Sequence, residues 1–205
     1  KTSGDAAQDR KIQIGMSFDS FVIERWQTDR DIFVSTAKEL GAEVNVQNAN
    51  GDLEQQKKQI NYFIDKGMDV IVIDHHEAEV RLPKIFAVVN PKRLDEDNTY
   101  PYLRYMAAVG VVFMTIVAIN RELRAAAFYT AERQEPNLMQ WLDLVALGTV
   151  CDVVPLKGLN RAYVRQGLKI MGNRNNLGLT ALIDKAGIAS APSAFHLGYV
   201  LGPRI

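Results

Sequence analysis

Residues Met68-Asp69-Val70-Ile71-Val72-Ile73-Asp74-His75-His76-Glu77 decide how the chain is read. Four successive β-branched residues, Val70 to Ile73, end abruptly in an acid and two imidazoles. An apolar run of that kind without alternation is the pattern of a strand covered on both faces, as in a parallel sheet. Ligand-type side chains then leave its C-terminal end, where open α/β sheets bind their ligands. Successive residues at a strand end point to opposite faces, so His75 and His76 are expected to diverge, one of them toward the core.

Upstream, Lys11 to Phe18 reads as a first strand. A helix follows over residues 23–40, with Ile32, Phe33, Thr36, Ala37 and Leu40 at helical spacing and Gly41 as its stop. Ala42 to Asn48 is a second strand. Asn50-Gly51-Asp52 is turn chemistry, and Asp52 caps a second helix that runs to Lys66. Its buried side carries Leu53, Ile60, Phe63 and Ile64. With Met68 to Ile73 as the third strand, the unit is β-α-β-α-β, which implies a parallel sheet with right-handed crossovers.

Downstream, Ile85 to Val89 reads as a fourth strand closed by Asn90-Pro91, and Lys92 to Pro101 as a charged, solvated loop. Helices are expected near residues 102–127, 137–149, 159–172, 178–186 and 193–201. The fold class is therefore α/β: an open parallel sheet of about four strands in the order 2-1-3-4, flanked by helices, flavodoxin-like, with a helical C-terminal portion. Residues 11–73 and 74–205 are expected to form one composite domain behind a flexible leader over residues 1–10.

Composition narrows the function classes. A chain of 205 residues with 47% hydrophobic residues buries a full core. A formal net charge of +0 gives no global signal for nucleic acid or anionic membrane. The single cysteine, Cys151, excludes an intrachain disulfide and reads as a small core residue. Lys1 to Arg10 lacks the apolar core of a secretory signal. The longest apolar run, Tyr105 to Ile119, is shorter than the roughly 20 residues a membrane span needs, and reads as a helix buried on most sides.

Two family resemblances divide the sequence. KIQIGMSFDSFVIERWQTDRDIFVSTAKELGAEV and NVQNANGDLEQQKKQINYFIDKGMDVIVI resemble the N-terminal lobe of periplasmic sugar-binding proteins of the xylose-binding type. That resemblance implies sugar contacts from the loop after the first strand, at Phe18, Asp19, Arg25 and Trp26. The family's second lobe has no counterpart here, so sugar binding is expected to be weak or absent. From Val72 onward, VIDHHE, LPKIFAVVNPKRLDEDNTYPYL, WLDLVALGTVCDVVPLKGLNR, NNLGLTALI and HLGYVLGPRI resemble the DHH phosphoesterases of the RecJ single-stranded-DNA exonuclease type. This second resemblance implies manganese ligands at Asp74, His75, His76 and Asp152; Asp19, at the C-terminal end of another strand of the same expected sheet, is a candidate accidental ligand. It also implies metal-assisted phosphodiester hydrolysis in which His75 and His76 are the catalytic candidates.

The departures carry as much weight. The DHH pattern calls for acids at the ends of two earlier strands; here those strands end in Ser17-Phe18-Asp19 and in the neutral Gln47-Asn48. The expectation is an engineered chimera of two α/β fragments without physiological activity, requiring no cofactor, holding manganese weakly at most, and having no obligate partner. A manganese-dependent phosphodiesterase and a residual xylose-binding module are the alternatives. Three further features have plainer readings: Glu77 as a solvated acid, His196 as a packed and hydrogen-bonded histidine, and Arg161, Arg165 and Lys169 as a solvated basic stripe.

Overall fold

The structure, a computed structural model, describes residues 12–18, 20–22, 24–97 and 99–205, with Glu24 and Arg25 described in backbone alone. The expected leader and Asp19 lie outside the described residues. The chain divides after Val70 into two compact units.

In the first unit, β1 (Gln13–Phe18) and β2 (Glu43–Asn48) run parallel, with Gln13 opposite Glu43 and Phe18 opposite Asn48. They are connected through α1 (Glu24–Glu39), and α2 (Leu53–Asp65) follows β2. Asp52 caps α2 as its sequence position predicts, accepting hydrogen bonds from the backbone N–H groups of Glu54 at 2.8 Å and Gln55 at 3.1 Å. Gln59 fixes this helix to both strands. Its amide donates to the Asn48 carbonyl at 2.9 Å, and its carbonyl accepts from Ser17 at 2.8 Å. Buried Phe63 lies directly under Gly15, where a Cβ would come within 2.7 Å of the ring.

In the second unit, β3 (Ile71–Ile73) pairs in parallel with β4 (Ala87–Val89). A 3-10 turn at Pro101–Tyr105 leads into α3 (Ala108–Ala125), and another at Leu138–Trp141 into α4 (Leu142–Cys151). Then come α5 (Gly158–Gly172), α6 (Leu177–Lys185) and a π-helical turn at His196–Leu201. One core cluster joins Ala146 and Leu147 of α4 to Met171, Leu179, Ile183, Leu197 and Leu201. The other joins Leu142 and Val145 of α4 to Met106, Val111, Phe113 and Tyr163, with Ile73 and Val89 packed against it. Helix α4 belongs to both clusters, which is why its sequence, LDLVALGTVC, is apolar nearly all round.

Several expectations are corrected. The single sheet in the order 2-1-3-4 is not formed among the described residues: β1-β2 and β3-β4 are separate two-stranded sheets. The third strand is also shorter than Met68–Ile73. Gly67 takes a left-handed φ of +75° at the end of α2, and the Met68 N–H turns back to the Phe63 carbonyl at 3.0 Å, so that donor closes the helix instead of extending a ladder. Nor is β3 covered on both faces: Ile71 is 50% exposed. Helix α3 buries Val111 and Phe113 but leaves Ile116 and Ile119 exposed, so it is covered on one side instead of most. Cys151 is exposed, not core. Partial burial of its thiol raises the pKa, which leaves it unactivated. Among the described residues no helix is long and apolar enough to cross a membrane.

At Gly167, α5 packs closely against α4. A Cβ there would lie 2.1 Å from the Leu142 carbonyl oxygen and 2.4 Å from Ala146 Cβ, so the two helices meet backbone to backbone. Gly172, on the same helix, faces open space. Gly167→Ala is expected to destabilise the chain by about 3 kcal/mol through overpacking, whereas Gly172→Ala is neutral or stabilising by up to about 1 kcal/mol. Urea unfolding of the two variants measures the difference.

Candidate metal centre at the end of β3

The Asp74 N–H donates to the Val89 carbonyl at 3.0 Å, carrying the β3–β4 ladder one residue past Ile73. The chain then turns, and the Asp74 carboxylate organises the turn. Its Oδ1 accepts from the N–H of His75 at 2.7 Å and of His76 at 3.2 Å, and it lies 2.7 Å from His76 Nδ1. Burial acts to raise the carboxyl pKa, but the hydrogen bonds from the His76 ring and the two backbone N–H groups outweigh it, and Asp74 is held below the usual carboxylate range. Asn90, buried at the end of β4, donates to the His76 carbonyl at 3.0 Å and locks the turn against the neighbouring strand.

The two histidines diverge, as strand-end geometry predicts. The His75 side chain is 15% exposed and that of His76 77%. The rings still lie close, with centroids 4.4 Å apart and planes inclined at 52°. His75 points inward to Asp152, whose Oδ2 is 3.4 Å from His75 Nδ1. Asp152 is the residue at which α4 ends, and Val153 after it takes a left-handed φ of 56° to reverse the chain. The structure therefore brings together four of the residues singled out from the sequence, as two acid–imidazole pairs.

Among the described residues, these donors fall short of a two-manganese cluster. Asp74 Oδ1 is already occupied by three N–H groups, and two carboxylates carry too little charge for two divalent cations. Among the described residues no three His, Cys, Asp or Glu side chains are gathered to hold a metal ion. Of the sugar-loop residues, Phe18 is buried and packs edge-on against Trp26 at 5.8 Å. Trp26 is 38% exposed. Asp19 and the Arg25 side chain lie outside the described residues. Sequence reading missed the role of Glu77, whose carboxylate meets both Lys92 and Arg104. Its position next to two histidines, and distant along the chain from either cation, gave no signal. His196 is hydrogen-bonded as expected, its Nδ1 accepting from the Ser193 N–H at 3.0 Å.

The N-terminal domain of the DHH family matches residues 27–149. The chain belongs to the DHH family. The single-stranded-DNA-specific exonuclease RecJ of Dickeya dadantii is 41% identical over 144 residues, 68% of this DHH chain and 24% of the relative. RecJ of Escherichia coli is 39% identical over 142 residues, 68% of the chain and 24% of that protein. The chain thus spans about a quarter of the length of these curated relatives. A second segment of 75 residues, 37% of the chain, is 49% identical to the D-xylose-binding periplasmic protein of Escherichia coli, covering 23% of that protein. In three dimensions the chain resembles a crystal structure of exonuclease RecJ bound to manganese, with a TM-score of 0.62 and 24% identity over 95% of this chain and 52% of that one. RecJ of Thermus thermophilus in complex with Mn2+ gives 0.59 and 25%, over 95% and 29%.

The lowered Asp74 pKa has a signed consequence. A carboxylate whose pKa is depressed on folding stabilises the fold above its unfolded value of about 3.9, and that contribution is lost as pH falls through the folded value. Asp74→Asn is therefore expected to be less stable than the parent chain at neutral pH, with the gap closing on acidification. Urea midpoints from pH 7 down to pH 2 would show the two curves converging.

Proposed function

We propose that the chain is an engineered chimera in which a sugar-binding-protein fragment, ending in β3, replaces the first strands of a DHH domain, and that it does not turn over phosphodiesters. One observation carries this reading: two unrelated proteins match shares of 68% and 37%, which together exceed the chain, so a segment matches both. The family match, beginning at residue 27, also reaches back across α1, β2 and α2. A β-α-β pattern common to both parents makes such a join tolerable, since a parallel strand followed by a helix is the repeating unit of either sheet.

The chemistry of the site supports loss of turnover. Metal-assisted hydrolysis needs cations held by anionic oxygens at fixed geometry. Here Asp74 Oδ1 serves the turn it organises, Asp152 pairs with His75, and β2 ends in the uncharged Gln47 and Asn48. The protein requires no cofactor and no partner, and both manganese and sugar bind weakly at most.

Calorimetric titration of manganese into the metal-stripped protein, with Asp74→Asn as control, tests this. The expected result is no saturable binding beyond that of the variant, and no manganese-dependent shortening of a single-stranded oligonucleotide. Saturable binding lost in Asp74→Asn, together with oligonucleotide hydrolysis, would instead establish a metal-dependent phosphodiesterase.

A further inference from the structure

One cavity of the second unit has the hydrophobic core as its floor. It measures about 410 Å³ and lies between β4, the loop that follows β4, and α3. At its base are Met106 and Val111, buried members of the second core cluster, with Val89 beside them. Met114 and Ala118, both exposed, carry the apolar wall along α3 to solvent. A concave apolar space of this size with a few polar groups on one side has the build of a small-molecule site, for which roughly 300–1,000 Å³ is usual. Its floor is set by core packing and needs no rearrangement to receive a ligand.

The polar groups at its open side favour one sign of charge. Glu96, Asp97 and Tyr100 are the exposed polar residues that line it. Residues 93–97 set three carboxylates against one guanidinium. That guanidinium, of Arg93, is engaged by Asp95 at 2.9 Å and 2.5 Å and reaches Glu96 only at 4.0 Å. Hydrogen bonds from the Thr99 side chain and backbone hold Asp97 below the usual carboxylate range, and among the described residues no Lys or Arg pairs with it. The one cation in the lining, Arg104, lies 3.6 Å from Glu77, a carboxylate outside the cavity. Tyr100, 57% exposed, adds an aromatic face, which attracts cations in its own right.

We propose that this cavity binds a small organic cation, an ammonium carried on an aromatic body. The body lies on Val89, Met106 and Val111, and the ammonium is held at the open side by Glu96, Asp97 and the Tyr100 ring. The two parts of such a ligand match the two parts of the cavity. Apolar area leaves water at the floor, where most of the affinity arises. The charge selects: exposed carboxylates add little energy, but they favour an ammonium and repel a carboxylate of the same shape. The site uses neither a metal nor the acid–imidazole pairs, so it stands apart from the chimeric reading.

Three probes with one indole body test this on the full chain: tryptamine, the neutral tryptophol and the anionic indole propionate, each titrated calorimetrically at low salt. Tryptamine is expected to bind saturably and about fivefold more tightly than tryptophol, with indole propionate the weakest. The double variant Glu96→Gln with Asp97→Asn changes only exposed loop residues, so it keeps the fold. It is expected to bring tryptamine to the affinity of tryptophol while leaving tryptophol unchanged. Ala118→Phe places a ring in the cavity from the exposed side of α3 and is expected to abolish binding of all three, with the far-ultraviolet circular dichroism of the parent. Sedimentation velocity at the same concentrations asks whether a second copy fills the cavity instead. The proposal is overturned if indole propionate binds as tightly as tryptamine, if the double variant keeps the preference for tryptamine, if Ala118→Phe retains full affinity, or if the parent chain is a dimer that Ala118→Phe disperses.

Discussion

The backbone contact between α4 and α5 at Gly167 is the constraint on which the second unit depends. Only a residue without a side chain lets the Leu142 carbonyl and Ala146 approach so closely. At that separation α4 fills both core clusters, with Leu142 and Val145 in one and Ala146 and Leu147 in the other. Interiors are packed at crystal-like density, so an element shared by two clusters cannot shift in one without opening a gap in the other. The end of α4, and with it Asp152, inherits that rigidity.

Ile73 and Val89 tie the ends of β3 and β4 to the cluster that holds Leu142 and Val145. The scaffold therefore holds the polar cluster, and the polar cluster contributes little to holding the scaffold. His75 is covered because the residue two before it is packed, and His76 is exposed because it falls on the other side of the turn. Pairs as open as Asp74–His76 add only tenths of a kcal/mol in water. What Asp74 supplies is shape: three N–H groups gathered on one oxygen make a turn that no apolar residue would make.

Much of this was legible in the residues themselves. Asp52 announced its helix, glycines at 41, 67 and 187 marked reversals that all take positive φ, and the helices of the second unit lie close to where apolar spacing puts them. The pairing of Asp74, His75, His76 and Asp152 was legible only through family resemblance, because no local spacing links residue 75 to residue 152. What could not be read was edge and exposure. The run Val70 to Ile73 carries the composition of a fully covered strand whether or not both edges are paired, and hydropathy does not reveal how many neighbours a strand has. Nor did Cys151 signal its exposure, since the helix around it is apolar on every side.

The separation of His75 from Asp152 along the chain also orders events in time. Helices α4 and α5 are neighbours in sequence and close on each other through a short connection, so their contact is cheap in chain entropy and quick to form. The His75–Asp152 contact closes a far longer loop and gains little energy of its own, so it follows once α3, α4 and the β3–β4 ladder are in place. The imidazole of His75 is thus a late reporter. Its loss of solvent contact marks the completion of the second unit, whereas helical signal alone marks only the beginning.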